Sequence, residues 1–279
     1  MPELPEVETI KRQLRDLVVG RTIQDARVMD PRLVRFPSVP EFERGLRGQR
    51  IDAVDRRAKY LLIRLSSGRI LAVHLVLTGQ LLLLEPGIPM QRSARMVLDL
   101  DDGQQIRLVD ASHLARVYLV SEQEMEGQLH LSELGPDALS DELTPQRFKA
   151  LLRGSGRAIK ALLLDQKVIA GLGNIYTDEV LHAAGIHPLR RAGSLTSDEA
   201  ERLYRAIRAI LRDAVELRGT TIRSYRDLLG RKGGYQDLLK VVGRAGKPCF
   251  GCGGTVERMQ VAGRETYYCP ACQREEAAA

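Results

Sequence analysis

Apolar positions near the start of the chain recur at the spacing of a helix. Val7, Ile10, Leu14 and Val18 lie three or four residues apart, which places them on one helix face. Gly20 follows, and glycine is typical of the position just beyond a helix end. The pattern therefore predicts an amphipathic helix that ends before Gly20.

Short apolar runs dominate the next hundred residues. Turn sequences such as Ser66-Ser67-Gly68 and Asp101-Asp102-Gly103 separate them, which is typical of antiparallel sheets. We predict strands at 22–29, 51–54, 60–65, 70–77, 80–84, 96–100, 106–109 and 116–120. Consecutive short strands of this kind favour an antiparallel β-sandwich or barrel.

The pattern changes after a polar, turn-rich stretch at 132–145, which we interpret as a linker. Helical spacing follows at 145–152, 158–164, 175–184 and 197–217, with a Gly-rich turn at 171–179 and a Gly-rich loop, which we take to be mobile, at 230–236. We predict an α+β protein with a β-rich domain (1–131), the linker (132–145), a helical domain (146–243) and a small C-terminal domain (244–279).

The cysteines predict a metal site in that last domain. Cys249 and Cys252 form one CxxC pair and Cys269 and Cys272 another, with 16 residues between the pairs, about the length of a β-hairpin. Four thiolates satisfy tetrahedral Zn²⁺ and leave no open position for catalysis. We predict one structural zinc ion. The hairpin between the pairs carries arginines, which suit contact with phosphate.

Composition and charge favour a polyanionic partner. Lys and Arg total 42 against 36 Asp and Glu, which gives a net charge of +6. No apolar run reaches the ~18 residues that crossing a bilayer requires, so we expect no membrane association. The acidic start lacks the apolar region of a signal peptide, and we expect a cytosolic protein. Aromatic residues make up only 4%, so base stacking is not the expected binding mode.

The first residues, "MPELPEVET", suggest a nucleophilic amine. Removal of Met1 would leave Pro2 with a secondary amine, and α-amino groups have a pKa of about 7.7–8.0. Such an amine can attack an aldehyde-level carbon and form an iminium ion, with Glu3 and Glu6 as proton donors or shuttles. The same residues also suit an ordinary helix start, where proline and acidic side chains are favoured.

Four stretches resemble the bacterial formamidopyrimidine-DNA glycosylase family. They are "PELPEVET" at the start, "RRAKYLL" (56–62), "GLGNIYTDEVLHAAGIHP" (171–188) and "VAGRETYYCPACQ" (261–273). They occur in the family's order from residue 2 to about 274. The resemblance implies a β-sandwich flanked by helices, a helix–two-turn–helix domain and a zinc finger, with double-stranded DNA in the cleft between the two halves.

The resemblance also implies an activity and residue roles. Such enzymes excise oxidised purines and then nick the strand by β,δ-elimination. Pro2 would be the nucleophile at the sugar C1′, Glu3 the general acid/base and Glu6 a supporting carboxylate. Lys59 would contact phosphate and assist β-elimination, and Arg264 would clamp phosphates and assist δ-elimination. The implied DNA-contacting residues are Leu77, His113, Leu114, Lys160, Asn174, Tyr235 and Arg258.

Several of these residues have structural alternatives. Lys59 could be an ordinary lysine at a strand edge, Asn174 a turn residue and Lys160 a solvated helix charge. His74 is expected to be a structural, hydrogen-bonded histidine. The segment 220–235 corresponds to the part of the family that closes over the flipped base.

The chain departs from the family where the duplex is wedged open. Leu77, in "LVLTGQ", replaces the methionine of a "GMSG"-like turn. "DASHLAR" (110–116) replaces a "DPRRFG"-like loop, with His113 in place of arginine and Leu114 in place of phenylalanine. Leucine is still an apolar wedge, whereas histidine makes fewer hydrogen bonds than arginine. We expect lyase action on abasic sites to survive and discrimination of the base opposite the lesion to weaken.

Two other functions remain open at this point. One is an oxidised-pyrimidine glycosylase of the endonuclease VIII type, although "PELPE" and the loop at 230–236 favour the purine branch. The other is a DNA-damage-binding paralogue that excises nothing. We expect a monomer, because no coiled-coil pattern is present, and a location on the bacterial nucleoid.

Overall fold

The computed structural model describes residues 2–275 of the 279-residue chain. Two compact units are present. The first runs to Glu133 and includes Val215–Gln236, and the second comprises Leu134–Ala214 and resumes at Asp237. Among the described residues, no helix has both the length and the apolar character needed to cross a membrane.

The first unit contains three helices and nine strands among its described residues. The helices are α1 (Leu4–Val18), α2 (Val39–Leu46) and α3 (Glu122–Leu129). The strands are β1 (Ile23–Val28), β2 (Val34–Phe36), β3 (Ile51–Arg57), β4 (Tyr60–Leu65), β5 (Ile70–His74), β6 (Gln80–Leu84), β7 (Ala94–Leu100), β8 (Gln105–Val109) and β9 (Arg116–Val120).

The strands form two sheets around one core. One sheet has the order β1-β7-β8-β6 and the other β2-β9-β5-β4-β3. All pairs are antiparallel except the short β2–β9 pair. Apolar side chains of both sheets and of α1 belong to a single buried cluster. The predicted sandwich and its flanking amphipathic helix are confirmed.

Three elements of this unit were not predicted, for physical reasons that differ. Helix α2 has only eight residues, too few to show a helical period, and is started by a Ser38–Glu41 capping box. Helix α3 is polar and buries only Leu129, so it has no apolar stripe. Strand β2 has three residues. The predicted strand 70–77 ends at His74, because Gly79 N donates to Leu75 O and closes a turn.

The second unit contains the helices that the sequence predicted. They are α4 (Pro145–Leu152), α5 (Ile159–Leu163), α6 (Asn174–Ala184) and α7 (Ser197–Glu216), whose last two residues are grouped with the first unit. An antiparallel hairpin, β10 (Glu257–Val261) and β11 (Arg264–Tyr268), follows.

The segment 132–145 is not a free linker from Leu134 onward. Ala138 and Leu143 are buried, and Ala138 N donates to Ala170 O at 2.9 Å. Ala170 N in turn donates to Pro136 O at 3.0 Å. The polar composition that suggested a linker reflects an irregular backbone that packs on the second unit.

Lys160 lies in a buried ion pair, which corrects the interpretation as a solvated helix charge. Its Nζ donates to Asp178 Oδ1 at 2.6 Å and to Glu265 O at 3.2 Å, and both side chains of the pair are 0% exposed. Asp178 Oδ2 accepts from Tyr267 N at 2.9 Å. Burial raises the pKa of Asp178 to about 7, although Lys160 favours the charged carboxylate. The pair joins α5 and α6 to β11.

Glu179, the next residue of α6, holds a second segment. Its carboxylate accepts from Lys240 N at 2.8 Å and from Val241 N and Val242 N, each at 3.0 Å. Two adjacent carboxylates of one helix thus bind the hairpin and the turn before it. The position of the C-terminal module in this unit depends on these contacts.

His74 is held by stacking. Its ring lies 4.5 Å from the Tyr60 ring, and its buried Nδ1 has no hydrogen-bond partner within residues 2–275. Burial lowers the pKa of His74 to about 4, and the positive charges of Lys59 and Arg116 act in the same direction. The expected hydrogen bond is therefore absent at Nδ1, and the ring is neutral near pH 7.

Replacing Lys160 by methionine should destabilise the protein strongly. The substitution leaves Asp178 buried without its cation, and we expect unfolding in urea to require about 3–5 kcal/mol less free energy. Lys160→Met/Asp178→Leu should recover much of that loss, because no buried charge then remains. Arg205→Met, which removes an exposed ion pair with Glu201, is the control and should change the free energy by under about 1 kcal/mol. A single variant as stable as this control would contradict the assignment.

His74 should make the protein acid-sensitive. The folded-state pKa of about 4 lies below the ordinary value of 6.5, so the unfolded chain binds a proton first as the pH falls. The free energy of unfolding should therefore fall by about 3 kcal/mol in total as the pH is lowered from about 6.5 to 4. Urea titrations between these pH values measure it. His74→Phe keeps a stacking ring and should flatten the slope, and an unchanged slope would refute the assignment.

Candidate active site and nucleic-acid interface

Two buried glutamates begin α1. Glu3 is the N-cap residue, its carboxylate accepts from Glu6 N, and Glu6 Oε2 accepts from Glu3 N at 2.8 Å. Each is 1% exposed. This capping box confirms that the residues start a helix, and it also fixes two carboxylates in the residues that follow Pro2.

Pro2 itself is buried, and Met1 lies outside the described residues. While Met1 is attached, the Pro2 nitrogen belongs to a peptide bond. Its lone pair is then delocalised, so it cannot act as a nucleophile. Any chemistry of the Pro2 amine requires removal of Met1.

Glu6 also binds the segment after α7. Its Oε1 accepts from Thr220 N at 2.7 Å. Gly219 has φ +78°, and a Cβ there would lie 2.6 Å from Glu6 Oε1. A side chain at this position would displace the carboxylate, so the contact requires glycine. The beginning of the segment predicted to close over a flipped base is thus held against the N-terminal glutamates.

The rest of segment 220–235 is anchored to the first unit. Tyr225 and Leu228 belong to its buried core, and Leu228 N donates to the Gln13 side chain at 2.9 Å. Ile222 is exposed. Tyr235 is only 5% exposed, and its N–H donates to Gly219 O. The DNA contact assigned to Tyr235 stays a prediction that this burial does not favour.

Lys59 lies in the turn between β3 and β4. Ala58, with φ +53°, accepts a hydrogen bond at its carbonyl from Arg56 Nη1 at 2.8 Å. Arg56 Nε donates to Glu8 Oε2 at 2.9 Å, and both side chains are largely buried. Since Glu8 is on α1, this ion pair ties the Lys59 turn to the helix that begins with the two glutamates.

Two turns of the first unit present exposed leucines, and we call them the wedge turns. The first comprises Leu75–Gly79 and the second Asp110–Ala115. Leu77 is 45% exposed and Leu114 is 44% exposed. Exposed apolar side chains at turn tips suit insertion between base pairs.

His113 is bound by protein groups at both ring nitrogens. Nδ1 lies 2.6 Å from Asp30 Oδ2 and Nε2 lies 2.9 Å from Arg95 Nη2. Arg32 beside it, with His113, holds the pKa of Asp30 well below its usual range. Arg32 Nη2 also lies 2.6 Å from Nδ1. Both ring nitrogens are therefore engaged by groups of the protein, and neither is free to bind a base.

Three predicted DNA-contacting residues lie on α6 and the hairpin. Asn174 is the first residue of α6. Its Nδ2 donates to Glu265 O at 2.8 Å, and its buried Oδ1 has no hydrogen-bond partner among the described residues. Arg264 follows the turn Ala262-Gly263, is exposed, and has no side-chain ion pair within the described chain. Arg258 is exposed and pairs with Glu265 at 3.0 Å. Arg264 is therefore the most available phosphate ligand of the three.

The four cysteines fit a zinc ion. The Sγ atoms of Cys249, Cys252, Cys269 and Cys272 all lie within 4.8 Å of one another. Gly251 N lies 3.4 Å from Cys249 Sγ, the backbone contact expected of a metal-bound thiolate. Four converging thiolates would repel one another without a cation, and their donor set matches tetrahedral Zn²⁺. One structural zinc ion is thereby confirmed.

Sequence reasoning did not find several of the residues that position this site. They are Asp30, Thr78, Gly219 and Thr220. Of these residues, Gly219 alone could have been found from the sequence, because a glycine after a long helical pattern marks a helix end. The other contacts join distant parts of the chain and have no local pattern.

Family models match three regions of the chain. Residues 1–117 match the formamidopyrimidine-DNA glycosylase N-terminal domain and residues 134–226 match its H2TH domain. Residues 246–274 match a zinc finger found in FPG and IleRS. Together these matches cover strands β1 to β8, all helices except α3, and the cysteine hairpin.

Relatives and solved structures agree over almost the full length. The formamidopyrimidine-DNA glycosylase of Chloroflexus aggregans is 46% identical, and 98% of each chain is covered. That of Pelotomaculum thermopropionicum is 44% identical over 98% of this chain and 99% of its own. The Lactococcus lactis Fpg in complex with abasic-site DNA has a TM-score of 0.92 at 33% identity, covering 98% of this chain and 100% of that one. The chain belongs to the formamidopyrimidine-DNA glycosylase family and is an oxidised-purine DNA glycosylase.

Proposed function

We propose that this glycosylase is bifunctional. It removes the damaged base from double-stranded DNA and then cleaves the strand at the resulting abasic site, with the Pro2 amine as nucleophile. The observation that carries this proposal is the pair of buried carboxylates, Glu3 and Glu6, locked together directly after Pro2. An ordinary helix start would leave such groups exposed to water.

The first step is attack of the Pro2 nitrogen on C1′ of the damaged nucleotide. The new N–C1′ bond forms as the C1′–base bond breaks, and the base leaves with a proton. Opening of the sugar ring then gives an iminium ion, which acidifies the hydrogens on C2′. Loss of one of these protons expels the 3′ phosphate, and a second elimination expels the 5′ phosphate.

Glu3 is the proposed proton carrier in these steps. It lies next to the nucleophile, and its carboxylate accepts a backbone hydrogen bond that keeps it in place. Glu6 has a supporting role, because its oxygens bind Glu3 N and Thr220 N. A carboxylate bound on both oxygens is better suited to fix geometry than to transfer protons.

Cationic and amide groups hold the DNA backbone. Lys59, on its turn beside α1, contacts a phosphate of the damaged strand. Arg264, exposed and without an ion pair in the described chain, clamps phosphates next to the lesion. Asn174 and Arg258 contribute from α6 and β10. Such contacts offset the few kcal/mol of stacking lost when a base leaves the duplex.

Leu77 and Leu114 fill the space that the flipped base vacates. Both are apolar and exposed on turns, as a wedge requires. His113 lies beside Leu114 in sequence, yet its ring nitrogens are committed to Asp30 and Arg95. The wedge therefore opens the duplex without a strong hydrogen-bond donor for the opposite base.

A preference for oxidised pyrimidines is the second candidate. One similar structure is a complex of the Lactococcus lactis enzyme with DNA containing an oxidised pyrimidine, at a TM-score of 0.91. This supports acceptance of such lesions as additional substrates and not a change of branch. We further propose that the protein acts as a monomer on the bacterial nucleoid, where its DNA substrate lies.

Borohydride trapping tests the proposed nucleophile. Incubation with an abasic-site duplex and borohydride should reduce the iminium ion to a stable covalent adduct, and peptide mapping should place it on Pro2. Intact-mass measurement should show that Met1 is gone. Glu3→Gln should slow excision of 8-oxoguanine by about 10²–10⁴-fold, the contribution of a general acid. Glu6→Gln is the matched carboxylate control and should be the milder variant.

Failure of trapping has a defined meaning. A processed N-terminus and bound zinc without any adduct would refute the lyase proposal and favour a DNA-damage-binding paralogue. An adduct on a lysine would retain the lyase and reject Pro2.

The identity of the base opposite the lesion should have little effect on the rate of excision. Because His113 offers no free donor, we expect single-turnover excision of 8-oxoguanine opposite cytosine and opposite adenine to differ by less than about 10-fold, the value of one hydrogen bond. His113→Arg should increase the preference for cytosine, whose O2 and N3 accept from a guanidinium. Strong cytosine selectivity in the unmodified protein would contradict this prediction.

A further inference from the structure

Asp110, the first residue of the second wedge turn, has a buried carboxylate that binds groups of both wedge turns. Asp110 Oδ2 accepts from Leu114 N at 2.7 Å and from Ala115 N at 2.8 Å. Its Oδ1 accepts from Ser112 N at 3.0 Å and from Ser112 Oγ at 2.8 Å. Thr78 Oγ1, from the other wedge turn, also donates to Oδ1. Five donors from two turns therefore converge on one side chain.

Thr78 makes a second link between the turns. Its hydroxyl oxygen accepts from Ser112 N at 3.0 Å while its proton goes to Asp110. Leu77 precedes Thr78 directly, and Leu114 lies two residues after Ser112. Each exposed leucine is thus close in sequence to a residue of this hydrogen-bonded network.

The backbone at both leucines is strained in the same way. Val76 has φ +53° and His113 has φ +56°, and each immediately precedes an exposed leucine. The left-handed region disfavours residues other than glycine, and a β-branched valine most of all. Strain of this kind persists only where surrounding contacts hold it, and it concentrates at functional sites.

The first turn is also tightly closed. Gly79 N donates to Leu75 O at 3.1 Å, and a Cβ on Gly79 would lie 2.5 Å from that oxygen. The Leu77 turn therefore has little room to relax by itself. The hydrogen bonds to Asp110 are what join it to the Leu114 loop.

Asp110 is ionised in this network. Burial by itself would raise the pKa of Asp110, but hydrogen bonds from Ala115 N, Thr78 and Ser112 lower it below the ordinary value. An ionised acceptor makes shorter and stronger hydrogen bonds than a neutral one. The network is therefore suited to oppose the backbone strain.

We propose that Thr78 and Asp110 are positioning residues that join the two wedge turns into one rigid unit, so that Leu77 and Leu114 enter the duplex together. The inference rests on the proposed function. Two leucines held in a fixed relation lose less conformational freedom on insertion than two that move separately. Their joint insertion lowers the barrier for base extrusion and adds nothing to the chemistry at C1′.

Thr78→Val tests the proposal, because it removes the hydroxyl and keeps the shape of the side chain. Single-turnover excision of 8-oxoguanine from a duplex should slow by about 10-fold, as expected for loss of a hydrogen bond to a charged group. Nicking of a preformed abasic site should change by less than about 2-fold, since no damaged base has to be extruded. Thr78→Ser keeps the hydroxyl and should restore excision.

A fluorescent base reports the insertion itself. 2-Aminopurine placed opposite the lesion brightens when it is unstacked, and this signal should slow with Thr78→Val in step with excision. Asp110→Asn is the second variant and should show the same split between substrates, with melting temperature as the check on folding. An equal loss on both substrates would assign these residues to folding alone and overturn the proposal.

Combination with wedge substitutions tests the joining of the turns. Thr78→Val should have little further effect in either the Leu77→Ala or the Leu114→Ala background, because the effect needs both leucines. A full effect that persists with Leu114→Ala would show that Thr78 serves only its own turn, which overturns the joint insertion.

The wild-type and variant activities distinguish failure of the proposed function from failure of the role proposed for Thr78 and Asp110. A wild-type protein that neither excises 8-oxoguanine nor nicks abasic sites would refute the proposed function. An active wild type with an unaffected Thr78→Val variant would refute only the role of Thr78 and Asp110.

Discussion

A buried carboxylate that accepts backbone N–H groups from a distant segment is the interaction on which the site depends. A buried charge is tolerated only when hydrogen bonds replace its lost water. The segment that supplies the N–H donors is therefore held in place by the carboxylate. Glu6 does this for Thr220, Asp178 for Tyr267 and Glu179 for 240–242. Asp110 accepts backbone N–H groups within its own turn and binds the distant Thr78 through its hydroxyl.

These carboxylates explain how irregular segments can carry chemistry. The sheets and α1 form a packed apolar core, whereas Lys59, Leu77 and Leu114 lie on turns. Turns lack the regular hydrogen bonds that hold a strand or helix in place, so each needs an anchor of its own. Arg56–Glu8 anchors the first, and Asp110 anchors the other two.

The groups proposed to act at the sugar and the residues proposed to face the opposite base lie on different segments of the first unit. Glu3 and Glu6 bind each other at the start of α1, and Glu6 also binds Thr220 after α7. His113 is held by Asp30 and Arg95, and its hydrogen bonds stay within the protein. A chain can therefore change its contact with the opposite base while the groups that act at the sugar remain in place.

Local patterns in the sequence determined the elements and the metal site. The helical period of α1, the short strands and the CxxC spacing each depend on residues close together in the chain, so they could be predicted. The roles of Pro2 and Glu3 come from the resemblance of their motif and stay predictions. Helix α3 was missed because it has no apolar stripe. Only the tertiary structure decided that Lys160 is buried against Asp178, that Tyr235 is buried and that Glu6 binds Thr220. The physical reason is distance along the chain, because the partner that settles the environment of a polar side chain can lie 18 or 214 residues away, where no periodicity records it.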